Sequence, residues 1–141
     1  MQIGVDTQRS IENKRVFVID DNEVHSMGLQ FMLADENETH VLPKIAAAIV
    51  KAREWPPHLV LLGIGLVRCE GATLIGQLKA AMNNVKILLV CDNADDALVR
   101  DALAQGADGT LLTPLKIEGV RRKVNTALGR VVPLGIPVAV R

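Results

Sequence analysis

Short, almost continuously apolar runs rich in β-branched residues recur along this chain. Runs of this kind are typical of strands that are buried on both faces of a parallel sheet. The strong runs cover residues 16–20, 58–63, 86–91 and 109–113, and a weaker run covers 39–42. The pattern therefore predicts five strands.

Segments with helical apolar spacing lie between these runs. Asn22 and Asn93 are suited to cap helix N-termini, and Gly106 is suited to the position just after a helix. The predicted apolar stripes are Val24, Met27, Gly28, Phe31 and Met32; Ile45, Ala48, Ile49 and Ala52; Leu74, Leu78, Ala81 and Met82; and Ile117, Val120, Val124 and Leu128. Five consecutive β-α units predict an α/β fold of three layers, with a parallel five-stranded sheet between two layers of helices.

In open parallel sheets, ligands and chemistry gather beyond the carboxyl ends of the strands. The residues at these ends are Asp20 and Asp21 after strand one, Gly63 at strand three, Cys91 at strand four and Thr113 at strand five. We therefore expect a functional site, if there is one, to be built from these positions.

Composition narrows the function classes. The 141 residues fit one domain, and 16 basic residues balance 16 acidic ones. With a formal net charge of zero and 2% aromatic residues, direct nucleic-acid binding is not expected. The longest apolar stretch, 59–67, is about half of a membrane-spanning helix, and the N-terminus has no apolar leader segment. These features predict a cytoplasmic domain without a membrane contact.

Three sequence segments carry a family resemblance. VIDDNE (18–23), LVLLGIGLVRCEG (59–71) and the stretch from Val85 to Pro114 resemble a response-regulator receiver domain of the CheY-like, flavodoxin-like type. The sequence of residues 95–112 is similar to that of receivers that precede LuxR-type DNA-binding domains. The resemblance implies the strand order 2-1-3-4-5 and a part in two-component phosphorelay signalling.

The resemblance also implies a chemistry that this sequence only partly retains. Receivers transfer a phosphoryl group to an aspartate at the end of strand three, with help from a hydroxyl on strand four and a lysine on strand five. Gly63, Cys91 and Thr113 stand at these three positions, Thr110 stands at the aromatic switch position, and Val67 replaces a loop proline. A glycine offers no oxygen nucleophile, and threonine supplies no positive charge for a phosphoryl group. The sequence therefore predicts a degenerate receiver, a pseudo-receiver, which is not an enzyme.

Pro114 is retained, and the resemblance makes the Thr113–Pro114 bond a candidate for the cis form. Asp20 and Asp21 match the acidic pair that holds Mg²⁺ in the family. With the main-chain carbonyl of Gly65, they give at most a partial oxygen shell for Mg²⁺, so no cofactor is required and a weak Mg²⁺ site is one interpretation. The alternative is that both carboxylates cap the first helix and face water. Repulsion within the pair is expected to raise one pKa.

Cys91 has two interpretations. It can be a redox or metal-binding thiol beside the acidic pair, or a small buried apolar side chain, and the second is the commoner situation. Cys69 is expected to be exposed in the loop after strand three. Gly63 and Gly65 do not predict a nucleotide-binding loop, because no helix start is expected directly after them.

Three functions compete. The first is a phosphorylation-independent interaction module that binds a protein partner, or a second copy, through the face of helix four, strand five and helix five. The second is a working response regulator phosphorylated at another residue such as Asp20 or Asp21. The third is a flavodoxin-like domain that binds a small molecule at the strand ends.

Two segments fall outside the β-α plan. Residues 1–14 form a polar N-terminal extension, 15–130 the receiver, and 131–141 an apolar tail with two prolines. The tail is either a linker to an output domain beyond Arg141 or a surface that contacts another chain.

Overall fold

The computed structural model describes residues 14–130 and shows alternating strands and helices. The elements are β1 (Lys14–Ile19), α1 (Glu23–Leu33), β2 (Asn37–Leu42), α2 (Ile45–Glu54), β3 (Leu59–Gly63), α3 (Ile64–Glu70), α4 (Leu74–Ala81), β4 (Lys86–Cys91), α5 (Ala97–Ala104), β5 (Gly109–Leu112) and α6 (Ile117–Ala127). All strand pairs are parallel, and the strand order is β2-β1-β3-β4-β5. The predicted α/β fold and strand order are therefore confirmed.

The sheet separates two apolar cores, as expected for strands that are buried on both faces. One core joins β1 side chains such as Phe17 to α2, α3, α4 and α5. The other joins the alternate β1 side chains, such as Val18, to α1 and α6. The sheet and its two helical layers form the predicted sandwich.

Within the described residues, no helix is long and apolar enough to cross a membrane. Lys14 already belongs to β1, where it pairs with Asn37. The rest of the predicted extension 1–14, and the whole tail 131–141, lie outside the described residues.

The chain between β3 and α4 is a helix where the sequence predicted a loop. Helix α3 begins directly after Gly63, which is its N-cap residue, and Val67 is fully buried within it. The predicted loop position of Val67 and the expected absence of a helix start were therefore wrong. Because of this extra helix, predicted helices four and five are α5 and α6.

The α1 stripe predicted from the sequence was wrong for three of its five residues, while Met32 is half-buried and packs against the core as predicted. Leu29 and Leu33 face the core, whereas Val24, Met27 and Phe31 are exposed. The helix carries apolar residues on both faces, so periodicity alone could not select the buried one. Ser26 is buried on the same side as Leu29, and its hydroxyl donates to the main-chain oxygen of Asp20 at 3.4 Å, which joins this side of α1 to the end of β1.

Two of the three predicted helix-capping residues are confirmed. Asn22 caps α1 by accepting the His25 N–H at 3.1 Å, and Gly106, at φ 119°, follows the end of α5. Asn93 does not cap α5: Asp96 does, accepting the Leu98 N–H at 2.9 Å. Asn93 instead accepts the Asp95 N–H in the turn before the helix.

Candidate functional site

The strand register brings the predicted site positions to one edge of the sheet. Ile19 pairs with Leu62, so Asp20 follows β1 beside Gly63. Cys91 ends β4 and pairs with Leu112, the residue before Thr113. This arrangement follows from parallel pairing, because the carboxyl ends of neighbouring strands then lie at the same edge.

Asp20 is the buried polar group at the centre of this edge. Its residue is 3% exposed. Its Oδ1 accepts the Asn22 N–H at 3.0 Å, and its Oδ2 has no hydrogen-bond partner. The expectation that both members of the acidic pair face water is therefore wrong for Asp20.

Gly63 provides the space that the Asp20 carboxylate occupies. A Cβ atom built on Gly63 would overlap Cγ and Oδ1 of Asp20 and would lie 2.6 Å from Oδ2. A real Cβ cannot approach a carboxylate this closely without displacing it. The Asp20 carboxylate therefore stands where a side chain at position 63 would project.

Burial raises the pKa of Asp20 above its ordinary value of 3.8, since desolvation disfavours the charged carboxylate. The Asn22 hydrogen bond and the nearby His25 oppose this effect, and repulsion from Asp21 adds to it. The sequence predicted one raised pKa from repulsion within the pair. The direction is confirmed, but the main cause is burial.

The sequence pattern did not predict that His25 lies at this site. It lies in the first turn of α1, and its Nδ1 is 3.6 Å from Oδ2 of Asp20, beyond hydrogen-bond distance but close enough to attract the carboxylate. The signal was available in the cap: Asn22 starts the helix, so a residue three positions later returns toward the strand end.

Asp21 is exposed. Its Oδ1 lies 3.2 Å from the Cβ position of Gly65, above the first turn of α3. Asp21 and Gly65 thus lie close together, while Asp20 turns inward.

Some of the oxygen donors that the resemblance assigns to Mg²⁺ are already engaged in other contacts. Mg²⁺ requires near-octahedral oxygen coordination, usually from one or two carboxylates and further oxygen ligands. One Asp20 oxygen is already bonded to a main-chain N–H, and its carboxylate fills the Gly63 space. Among residues 14–130, no group of three or more His, Cys, Asp or Glu side chains could hold a metal ion.

Cys91 is buried at the end of β4 and belongs to the core between the sheet and α5. Its Sγ donates weakly to the Leu89 main-chain oxygen at 3.8 Å. Desolvation raises the pKa of the thiol, which keeps it protonated and unreactive at neutral pH. This environment favours the interpretation of Cys91 as a small apolar side chain. Cys69 is exposed as expected, although it lies in α3.

Thr113 and Thr110 lie on either side of the end of β5. The Thr113 N–H donates to the Cys91 main-chain oxygen at 2.9 Å, and the bond from Thr113 to Pro114 is cis, as the resemblance suggested. Thr110 is half-buried, and its main-chain oxygen accepts from Lys123 Nζ at 2.9 Å. The Lys123 ammonium thus lies over β5.

The face of α5, β5 and α6 includes the outer strand of the sheet. Leu112 on β5 is 49% exposed, and Leu98 and Leu103 on α5 are half-buried. The exposed Leu112 side chain therefore gives this edge of the sheet an apolar surface.

The chain matches a family model described as the response regulator receiver domain over residues 16–125. It is 27% identical over 115 residues to the transcriptional regulatory protein LnrK of Bacillus subtilis, covering 79% of this chain and 52% of that protein. It is 28% identical over 101 residues to the response regulator protein VraR of Staphylococcus aureus, covering 70% of this chain and 48% of VraR. The chain spans about half the length of these curated relatives.

Solved structures share the fold. A two-component response regulator from Clostridium difficile superposes with a TM-score of 0.74 at 24% identity, covering 84% of this chain and 98% of the other. The N-terminal signal receiver domain of a Bacteroides fragilis response regulator gives a TM-score of 0.75 at 19% identity, covering 84% and 99%.

Proposed function

This chain belongs to the response regulator receiver domain family, and we propose that it is a receiver without aspartyl phosphorylation. In this proposal it is a non-enzymatic, cytoplasmic module that works by binding a protein partner or a second copy. Gly63, Cys91, Thr113 and Thr110 are then degenerate positions of the family's phosphorylation site.

One observation carries the proposal: the Asp20 carboxylate fills the space in front of Gly63. A phosphoryl acceptor on β3 would need a side chain there, and a glycine has none. The space is not held open for another group either, because the buried carboxylate occupies it. Asp20 is itself a poor acceptor, since it is 3% exposed.

The neighbouring residues support the same conclusion. A protonated, buried thiol at Cys91 is a weak hydrogen-bond donor to a phosphoryl oxygen. Thr113 brings no positive charge, and the Lys123 ammonium is engaged over β5 by the Thr110 carbonyl. A transferring phosphoryl group would therefore lack the cationic stabilisation that this reaction needs.

Phosphodonor labelling tests the proposal. The intact protein is incubated with acetyl phosphate and Mg²⁺, and its mass is measured, beside a receiver that carries an aspartate at the β3 end as the positive control. We expect the control to be labelled and the parent to stay unmodified. A stoichiometric, hydroxylamine-labile gain of one phosphoryl group by the parent would refute the proposal and support the second candidate function, acceptance at another aspartate.

The binding face is tested separately. Leu112→Asp places a charge on the exposed edge of β5, and Val50→Asp, at a 61% exposed position on α2, is the matched control. We expect self-association, or binding of a partner identified with the parent protein, to fall only with Leu112→Asp. Equal effects of the two variants would remove the α5–β5–α6 face from the proposal.

A further inference from the structure

A depression lies at the edge of the sheet opposite Asp20 and Gly63, where the strands begin. It has a volume of about 530 Å³, which is within the usual range of small-molecule sites. Lys14 begins β1, His58 directly precedes β3 and Lys86 begins β4, so three neighbouring strands supply one residue each. The ends of α4 and α6 and the turn before β3 complete the lining.

Much of the lining is apolar. Met82 and Val85 are buried and belong to the core on one side of the sheet. Leu128, at the end of α6, is half-buried and packs against the core on the other side. Pro56 and Pro57 come from the turn before β3. An apolar group in the depression would therefore have contacts on several sides.

The polar residues of the lining are basic or neutral. They are Lys14, His58, Asn83, Asn84 and Lys86, and among the described residues the lining includes no Asp or Glu. Within the same part of the chain, neither lysine has a carboxylate oxygen within 4.0 Å of its ammonium nitrogen, whereas Lys79 pairs with Asp108 at 2.8 Å. The described depression thus carries two positive charges that no acidic side chain balances.

Both lysine side chains lie on the same face of the sheet. Side chains alternate along a strand, and Val16 and Leu88, two residues after Lys14 and Lys86, belong to the core next to α1 and α6. Only β3 separates β1 from β4, so the two strands are about 10 Å apart. Lysine has a flexible four-carbon stem, and two such side chains can reach one anionic group between them.

His58 adds a hydrogen-bond donor to this group. Its Nδ1 accepts the Arg15 N–H at 2.8 Å, so in the neutral ring the proton is on Nε2. Burial lowers the pKa of His58, and the charges of Lys14 and Arg15 lower it further, while a main-chain contact with Arg15 and the charge of Glu38 oppose them. The ring therefore lies in positive surroundings, which favour an anion nearby.

The carbonyl groups at helix C-termini would oppose an anion if they were free. At the end of α6, the Gly129 N–H donates to the Thr126 oxygen at 3.1 Å. At the end of α4, the Asn84 N–H donates to the Lys79 oxygen at 2.7 Å. Gly129 and Asn84 have φ angles of 77° and 61°, as is common where a helix ends. These main-chain oxygens already have donors, which reduces their effect on a bound anion.

We propose that this depression binds a small amphipathic anion. The anionic group lies between Lys14 and Lys86, and the apolar part lies against Pro56, Met82 and Leu128. A neutral apolar ligand would cover the two ammonium groups without pairing them, which costs free energy. The depression and the predicted phosphorylation site are at opposite edges of the sheet, so this proposal does not depend on whether phosphoryl transfer occurs.

Titration of the full chain with hexanoate tests the proposal. Binding is followed in the amide nitrogen–proton NMR spectrum, and hexanol and acetate are the comparison ligands, since the first lacks the charge and the second lacks the apolar chain. The test variant combines Lys14→Gln with Lys86→Gln. The matched control combines Lys44→Gln with Lys116→Gln, which removes two exposed lysines outside the depression.

We expect hexanoate to shift the amide signals of Met82, Val85 and Leu128 saturably. It should also raise the pKa of His58, because an anion near the ring stabilises its protonated form. Two exposed ion pairs together are worth about a tenfold change in affinity. Binding should therefore weaken about tenfold in the test variant and change less than about twofold in the control.

Equal affinities of the test variant and the control would overturn the proposal. It would also fail if hexanol or acetate bound as tightly as hexanoate, or if the shifts did not saturate or were spread over the surface outside the depression. Unchanged amide signals in the rest of the sheet verify that each variant is folded, so a loss of binding is not a loss of structure.

Discussion

At the scale of single residues, the main feature of the site is the close packing of the Asp20 carboxylate against Gly63. The carboxylate occupies the volume that a side chain at position 63 would need, and only a glycine there leaves that volume free. The carboxylate is buried in consequence, with one oxygen unpartnered. We therefore expect substitutions at the two positions to have coupled effects on the free energy of unfolding.

Replacing Gly63 with alanine tests this coupling. The added Cβ would overlap Asp20, so we expect Gly63→Ala to lower the free energy of unfolding by about 1–3 kcal/mol. In the Asp20→Ala background the same change should cost at least about 0.5 kcal/mol less, since the obstructing atoms are gone. Urea denaturation of the four proteins in this cycle gives the coupling.

Gly28→Ala is the matched control for that cycle, because a Cβ there meets nothing within 4 Å. It should be neutral or stabilise α1 by about 0.5–1 kcal/mol. If the costs of Gly63→Ala and Asp20→Ala simply add, the carboxylate does not occupy the space in front of Gly63.

The buried Asp20 carboxylate should also make stability depend on pH. Its pKa is higher in the folded protein than in the unfolded chain, so the folded state binds more protons and stability falls as pH rises through the folded pKa. Asp20→Asn removes the charge and should raise the free energy of unfolding at pH 7 by about 1 kcal/mol.

The gain from Asp20→Asn should shrink as pH falls toward 3.8, the ordinary pKa of the carboxyl group, because the parent then becomes protonated as well. Thermal melts of parent and variant across this range measure the gain. Asp21→Asn, at the exposed neighbour, is the control and should show little change. A gain that is constant with pH would contradict a raised pKa at Asp20.

At the scale of elements, the sequence predicted the limits of the strands best, because a strand that is buried on both faces must be apolar at nearly every position. Strand β3, and strand β4 after the exposed Lys86, are apolar throughout, because both sheet faces are covered. Their predicted limits agree with the structure to within one residue. The last helix is apolar on one side only, and Val120 and Val124 are buried as predicted.

The sequence did not predict the buried face of α1 or the presence of α3, because the apolar pattern of each segment fits more than one structure. Helix α1 has apolar residues on opposite faces. The buried side carries Leu29 and also Ser26, whose hydroxyl bonds to the end of β1, and the apolar pattern does not contain this contact. Helix α3 is seven residues long and contains a glycine near its start, so its pattern was too short to separate from a loop.

The buried face of α1 is tested by two truncations. Leu29→Ala removes a fully buried side chain and should cost about 2–5 kcal/mol of unfolding free energy. Phe31→Ala removes a larger side chain that is 78% exposed on the described domain and should cost less than about 1 kcal/mol. Chemical denaturation measures both. The reverse order would restore the stripe predicted from the sequence.

At the scale of the whole molecule, the receiver fold is retained, and the proposed function has no phosphoryl transfer at the strand ends. Parallel pairing brings Asp20, Gly63, Cys91 and Thr113 to one edge, so the positions could be read from the sequence. The inward turn of Asp20 could not be read, because it depends on the missing side chain at position 63 and on the start of α1. The β5 edge and α6, which carry the proposed binding face, do not depend on that chemistry.

The central claim is that the α5–β5–α6 face works without phosphorylation. Amide hydrogen exchange across β5 and α6, measured with and without acetyl phosphate and Mg²⁺, tests it most directly. We predict that the two exchange profiles are superimposable within error. A change in protection confined to α5, β5 and α6 in most of the molecules would show that the domain still responds to phosphoryl transfer, and it would contradict the account.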